Sequence, residues 1–367
     1  RKGIPSFLRP VTPMKYNYVI AGQGLAGSVL ALTLLERGQR VLVCDPDAAA
    51  GGASWAAAGL YNPITGRHWQ LTWRAADLFP TLERFYRRWE RVFGVRFLHD
   101  RPIYRPFLDV AEQNRELART AEPARRPFLD EVPEAAPFRR WVRDPYGGLT
   151  TRRSGYLDVP HFLRSVKRYL IEKEAFRAEA VPHGQLRITA EGVEGPGWST
   201  AKLVCCEGAA MRENPYFGWL PLVPTKGEIL VVEQDDAPWP NVIFNRGVFV
   251  LPVGERRARV GATFNRHDLS PEPTPAGRAE LLDKLGVLLA VPVRVVDHTA
   301  GIRPTVRDRR PLIGQHPVHP ALAVFNGLGT KGVSLAPYFA GQLGDFFEGR
   351  DMLDPAVNID RYLSFYH

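Results

Sequence analysis

YNYVIAGQGLAGSVLALTLLERGQRVLVCD, Tyr16 to Asp45, is the stretch that decides the fold. Tyr16 to Ala21 is a short apolar run with the texture of a buried strand. Gly22-Gln23-Gly24-Leu25-Ala26-Gly27 is a GxGxxG turn, and Leu25 to Arg37 reads as a helix apolar on most faces, stopped by Gly38. Arg40 to Asp45 is the next strand. A helix of that kind is covered on both sides, as in a doubly wound sheet. Within the turn, Gly22 permits the tight bend, Gly24 lets the backbone approach a pyrophosphate, and Gly27 lets helix and strand pack closely. The helix start at Leu25 and Ala26 offers unpaired N–H groups and the positive end of the dipole. Asp45 stands 23 residues after Gly22, where an acid accepts hydrogen bonds from ribose hydroxyls. The acid argues against a 2′-phosphate, and so against NADP, but leaves NAD and FAD open.

Two further features favour FAD. Gly51 to Pro63 (GGASWAAAGLYNP) is a small-residue loop, the kind of backbone that lies against a large flat ligand. Gly327-Leu328-Gly329-Thr330-Lys331-Gly332 is a second GxGxxG, between the strand Leu322 to Asn326 and a helix reaching about Phe347. Pro337 is placed in the first turn of that helix, where a missing N–H has no helical partner to lose. Two helix N-termini suit a long ligand: one for the pyrophosphate, the other for charge developing at the pyrimidine edge of a flavin.

The 367 residues make two domains the expectation. A βαβ start, a β-rich middle and a βα end indicate an α/β FAD-binding Rossmann-like domain interleaved with an antiparallel β-rich substrate domain (α+β). The expected division gives 14–95, 145–215 and 300–367 to the FAD-binding domain, and 96–144 and 216–299 to the substrate domain. Residues 1–13 lack the apolar core of a signal peptide and read as a leader or remnant ahead of Met14. Trp69 to Phe93 and Asp158 to Glu174 carry helical patterns, the latter with Asp158 as N-cap, and Pro275 to Leu289 a third. Residues 96–144 read as a Pro- and Arg-rich stretch with short strands.

The net charge is +9, but the 48 basic residues are mostly scattered Arg, with pairs such as Arg309-Arg310 and no tract. That dispersal argues against a nucleic-acid partner. No run approaches the roughly 18 apolar residues of a membrane span. Three Cys form neither a disulfide framework nor a zinc motif, which suits a cytoplasmic location. His316 and His319 lie in a Pro-containing loop and predict no metal site. Arg67 and His68, just past the small-residue loop, are candidates to face the pocket.

The motifs VIAGQGLAGSVLA, SWAAAGLYNP, VCCEGAA, PTKGEILVVE, RVGATF, and above all GIRPTVRDRRPLIG followed by NGLGTKGVSLAP, carry a family likeness. The chain resembles the D-amino acid oxidase family of FAD-dependent enzymes, most nearly bacterial glycine oxidase, from Tyr16 onward. The resemblance implies FAD contacts at Gly22, Gly24, Gly27 and Asp45, and along Ser54, Ala58, Gly59 and Leu60. It implies Val181 and Gly208 near the adenine half, and Gly329, Thr330, Lys331 and Gly332 under the flavin ring. Arg303 in GIRP matches the arginine that clamps a substrate carboxylate. A guanidinium suits that role because it donates two parallel hydrogen bonds and stays charged. Lys331 is a candidate cation beside the flavin. Phe249 stands where glycine oxidase has a tyrosine, and Phe264 where a less bulky side chain is usual. Arg303 also replaces the flavin-linking Cys of the sarcosine oxidase branch, so non-covalent FAD is expected.

The leading expectation is an oxidoreductase that takes an amino acid or related amine to an imine, with O₂ or another acceptor receiving the electrons. Two alternatives remain: a tRNA-modification domain oxidising an aminomethyl-uridine substituent, and a non-catalytic flavoprotein whose pocket is plugged by Phe249 and Phe264.

Overall fold

The computed structural model describes residues 14–46, 52–130, 138–189, 191–235 and 237–366. The expected leader and Gly51 lie outside the described residues. The helices are α1 (Leu25–Glu36), α2 (Ala53–Ala56), α3 (Ala75–Phe93), α4 (Val110–Arg119), α5 (Val159–Glu172), α6 (Pro275–Leu288) and α7 (Gly332–Phe347).

An eight-stranded sheet carries both glycine turns. Its parallel centre runs Phe176–Arg177, Val41–Cys44, Met14–Ala21, Trp198–Cys205 and Leu322–Asn326, with Leu312–Gln315 antiparallel beyond. Every residue from Leu25 to Leu34 of α1 is buried, because the sheet lies on one side and α5 and α7 on the other. That is why its apolar residues show no single stripe.

A seven-stranded sheet forms the second layer, in the order Arg294–Arg303, Thr225–Glu233, Arg257–Gly261, Val248–Pro252, Ile243–Arg246, Ile103–Pro106 and Gly148–Thr151. Strand alternation divides its faces. Leu230, Val232, Val250, Val260 and Phe244 pack with Leu281 and Leu285 of α6. Ile229, Leu251, Ile243 and Ile103 turn the other way, onto Ala58 and Leu60 of the small-residue loop. This sheet reaches Thr151 and Arg303, further at both places than the division drawn from the sequence.

Three local expectations are corrected. The pattern from Trp69 becomes helix only at Ala75, because Ile64–Thr65 and Gln70–Leu71 pair as a hairpin ahead of it. The stretch 96–144 contains a helix, α4, capped by Asp109, whose side chain accepts the Glu112 N–H at 2.6 Å. Its buried face is charged: Glu112 accepts the Trp69 indole N–H at 2.8 Å, and Glu116 pairs with buried Arg125 at 3.1 Å. An apolar-periodicity reading has nothing to detect there. Finally, Pro337 lies inside α7 rather than in its first turn. It withholds the N–H that the Val333 carbonyl would accept, and the hydroxyl of Tyr86, wholly buried on α3, donates to that carbonyl at 3.3 Å.

Tyr86→Phe should therefore lower unfolding free energy by about 1–2 kcal/mol, since it leaves a buried carbonyl unmet. In Pro337→Ala, which restores an N–H, the same change should lose less. Urea titration of the four-member cycle checks this; additive effects would refute the coupling.

Candidate active site

The two glycine turns meet at the carboxyl ends of the parallel strands, where open α/β sheets place ligands. Gly22 has φ +102° and lies so close to the chain beyond Trp198–Cys205 that a Cβ would sit 2.6 Å from the Cys206 carbonyl oxygen. A Cβ on Gly27 would come within 1.9 Å of the Gly22 carbonyl oxygen. On Gly332 it would meet the Leu25 side chain at 3.0 Å, so the starts of α1 and α7 pack against each other. Asn326 ties the second turn to the VCCEGAA segment: its amide donates to the Gly208 carbonyl at 2.9 Å and its oxygen accepts the Gly327 N–H at 2.8 Å.

These elements enclose a cavity of about 970 Å³, at the upper end of the range for ligand pockets. Gly22, Gly24, Leu25, Ala26, Asp45, Ser54, Ala58, Gly59, Leu60, Gly208, Gly329, Thr330 and Gly332 all line it. Asp45 also braces the turn, accepting the Gln23 N–H at 2.7 Å, and the Ser54 hydroxyl accepts the Leu25 N–H at 3.0 Å. Ala26 and Gly27 N–H groups, in the first turn of α1, have no helical acceptor. Glycines that a Cβ would block, first-turn N–H groups and an acid one strand away fit the pyrophosphate and ribose of FAD. The start of α7 fits its ring end.

Val181, Lys331, Arg67 and His68 stand elsewhere, and Gly27 is not among the lining residues. Val181 is buried in the core with Val19 and Leu42 and is not among the lining residues. Lys331 is turned from the cavity: its ammonium lies 3.3 Å from the Thr65 hydroxyl and 3.4 Å from that of Thr72. Burial, then Arg309 and Arg310, lower its pKa. Arg67 bonds His68 on the exposed hairpin, and neither lines the cavity.

The seven-stranded sheet is the roof. Arg303, at the end of its strand, lines the cavity, and its Nη1 donates to the Thr263 carbonyl at 3.1 Å. Among the described residues no carboxylate forms an ion pair with it, and burial lowers its pKa from the ordinary arginine value. The guanidinium lies flat over Gly227, where a Cβ would come within 1.8 Å of Nη2. Phe249 lines the roof over Gly261, while Phe264 is 54% exposed at the rim and stacks with Arg266 at 5.3 Å. Phe264 is also among the residues that line the cavity. Arg259 holds the loop beneath, donating to the Ala57 and Ala56 carbonyls at 3.0 and 2.9 Å. Gly227, Arg259 and Asn245, which also lines the roof, received no role from the sequence. The first two lie within quoted motifs, but only strand pairing shows what they touch.

Burial raises the Cys205 and Cys206 thiols well above their ordinary range, which leaves them poor nucleophiles. Among the described residues no group of three His, Cys, Asp or Glu is placed to hold a metal, and no helix is long and apolar enough to cross a membrane.

The profile of a family described as FAD dependent oxidoreductase (DAO) matches residues 17–345. The chain belongs to that family. DAO-family relatives include glycine oxidase of Bacillus subtilis, 24% identical over 94% of this chain and 97% of its own. The tRNA 5-methylaminomethyl-2-thiouridine biosynthesis bifunctional protein MnmC of Marinobacter nauticus is 26% identical over 89% of this chain. The chain spans about half that relative's length (54%). Glycine oxidase from Geobacillus kaustophilus superposes with a TM-score of 0.76 at 20% identity, covering 95% of this chain and 98% of that one. Iminodiacetate oxidase from Chelativorans gives 0.75 at 22%, covering 94% and 98%. The shared fold is that of the DAO family.

Gly227→Ala should displace the Arg303 guanidinium while leaving the glycine turns intact. Equilibrium titration with a small carboxylate such as acetate should show at least ~10-fold weaker binding, as expected when a charge-assisted contact is lost. Unchanged affinity would mean that the guanidinium is not held where Gly227 admits it.

Proposed function

We propose that this chain binds FAD non-covalently and oxidises the C–N bond of an amino acid or related amine. The observation that carries the reading is Arg303: a half-buried guanidinium facing the cavity with no carboxylate partner among the described residues. Gly22, Gly24, Ala26, Gly27, Asp45 and Ser54 would hold the dinucleotide, and Gly329, Thr330 and Gly332 the ring end. Residues 14–95, 152–215 and 304–367 would serve as the cofactor-binding body, and the β-rich remainder, with the strands Gly148–Thr151 and Arg294–Arg303, as the substrate body.

Bound FAD supplies a two-electron acceptor. Arg303 supplies orientation, pairing with the substrate carboxylate so that the carbon bearing the amine is held in one pose. Its hydrogen bond to the Thr263 carbonyl fixes the fork, and Ile229, Phe249 and Ala262 make an apolar roof that keeps water from the reacting carbon. Phe249 has no hydroxyl, so the carboxylate relies on Arg303 more than it would with a tyrosine alongside. The substrate loses a hydride and a proton to become an imine, which water hydrolyses. O₂ or another acceptor then takes the electrons.

The protein should be yellow and release its colour on acid precipitation. Anaerobic addition of amino acids and secondary amines should bleach it, and readmitted air shows whether O₂ is the acceptor. Arg303→Lys and Arg303→Ala should keep FAD and lose about 2–5 kcal/mol of transition-state binding, some 30- to several-thousand-fold in kcat/KM. Near-normal activity of Arg303→Ala on a carboxylate substrate would sink the assignment.

A second reading, oxidation of an aminomethyl substituent on a tRNA uridine, is favoured by the MnmC similarity over 89% of this chain. Mass loss from a modified uridine in tRNA incubated with the protein would promote it. Weak binding that falls steeply with salt would fit dispersed Arg instead.

A further inference from the structure

One row across the roof is Asn245, Phe249, Gly261 and Ile229, paired strand to strand. Asn245 and Phe249 are direct cross-strand partners, so their side chains share a face, and both line the cavity. The Asn245 amide makes no hydrogen bond to any described residue. Beside it, in the parallel ladder that pairs Ile103 with Ile243, runs Arg105, whose guanidinium donates to the Gly66 and Arg67 carbonyls at 2.6 and 3.0 Å. The guanidinium lies over the Trp69 ring at 4.1 Å, and Glu112 and Glu116 are near enough to act on its charge. Arg246, the next residue in sequence, donates to the Phe107 carbonyl instead.

Arg303 reaches the same surface at Gly227 and Thr263, each two residues along its strand from the Asn245 row. Gly227 lies three strand spacings across and two residues along from Asn245, about 16 Å away, and Thr263 two spacings, about 12 Å, with Phe249 between. A ligand ending one carbon past its carboxylate, such as glycine, leaves Asn245 untouched. We propose that Asn245 is a specificity-determining residue for longer ligands. It binds the far end of a carboxylate ligand that spans the Phe249 ring and ends in an acceptor oxygen, a carboxamide or second carboxylate. The amide N–H groups donate to that oxygen, and Arg105, only part of whose charge is offset by Glu112 and Glu116, stands on the neighbouring strand against a terminal ammonium. The inference rests on Arg303 as the carboxylate anchor in the oxidase reading, but not on catalysis.

Calorimetric titration of the holoprotein with hexanoate, adipate, adipamate and 6-aminohexanoate tests it. Adipate and adipamate should bind about 3- to 10-fold more tightly than hexanoate, the factor expected of one hydrogen bond, and 6-aminohexanoate more weakly. In Asn245→Leu the ratio of adipamate to hexanoate should fall to near one. In Asn245→Asp, 6-aminohexanoate should become the preferred ligand, a gain that no general loss of packing produces. An adipamate preference absent from the wild type, or unchanged in Asn245→Leu, overturns the inference. If amines bleach the flavin while the ratios ignore Asn245, the oxidase reading stands and this one falls. If no amine bleaches it while the ratios follow Asn245, the reverse holds.

Discussion

The structure depends on how closely the backbone at the first glycine turn packs. The Gly22 carbonyl lies where a Cβ on Gly27 would have to be, and Gly22 itself presses on the chain leaving Trp198–Cys205. Any side chain at either position would push α1 off its strand. With none, α1 docks over the sheet, its first N–H groups point past the strand ends, and Leu25 meets Gly332 at the start of α7. Two positive helix ends therefore open into one cavity, although more than 300 residues separate them in the chain.

The roof works by alternation. One face of the seven-stranded sheet packs on α6 and the other closes over the small-residue loop. Arg303 belongs to the second face, and Gly227, with no side chain, lets its guanidinium lie flat against the neighbouring strand. Burial there costs the cation its water. The Thr263 carbonyl returns one hydrogen bond, and the remaining donors meet no acceptor among the described residues. Arg259 puts the same chemistry to structural use, its donors fastening the Ala56 and Ala57 carbonyls so that the loop keeps its shape.

What the sequence by itself determined is the part of the protein written in local chemistry. Glycine spacing, the acid at Asp45 and apolar runs were enough for the βαβ unit and the second turn, because each is a constraint within about 30 residues. Leu322–Asn326 and Gly332–Phe347 lie where their pattern puts them. Tertiary structure alone decided what depends on partners. α4 buries Glu112 and Glu116, so its signal is paired charge and not periodicity. Pro337 is accommodated by a hydroxyl from Tyr86, far away in the chain. Lys331 shares its turn with four lining residues, yet its side chain runs to Thr65 and Thr72. Gly227, Phe249 and Asn245 share a surface with Arg303 only through strand register, and register is set by which faces are buried across the whole sheet, a long-range condition that no single segment carries.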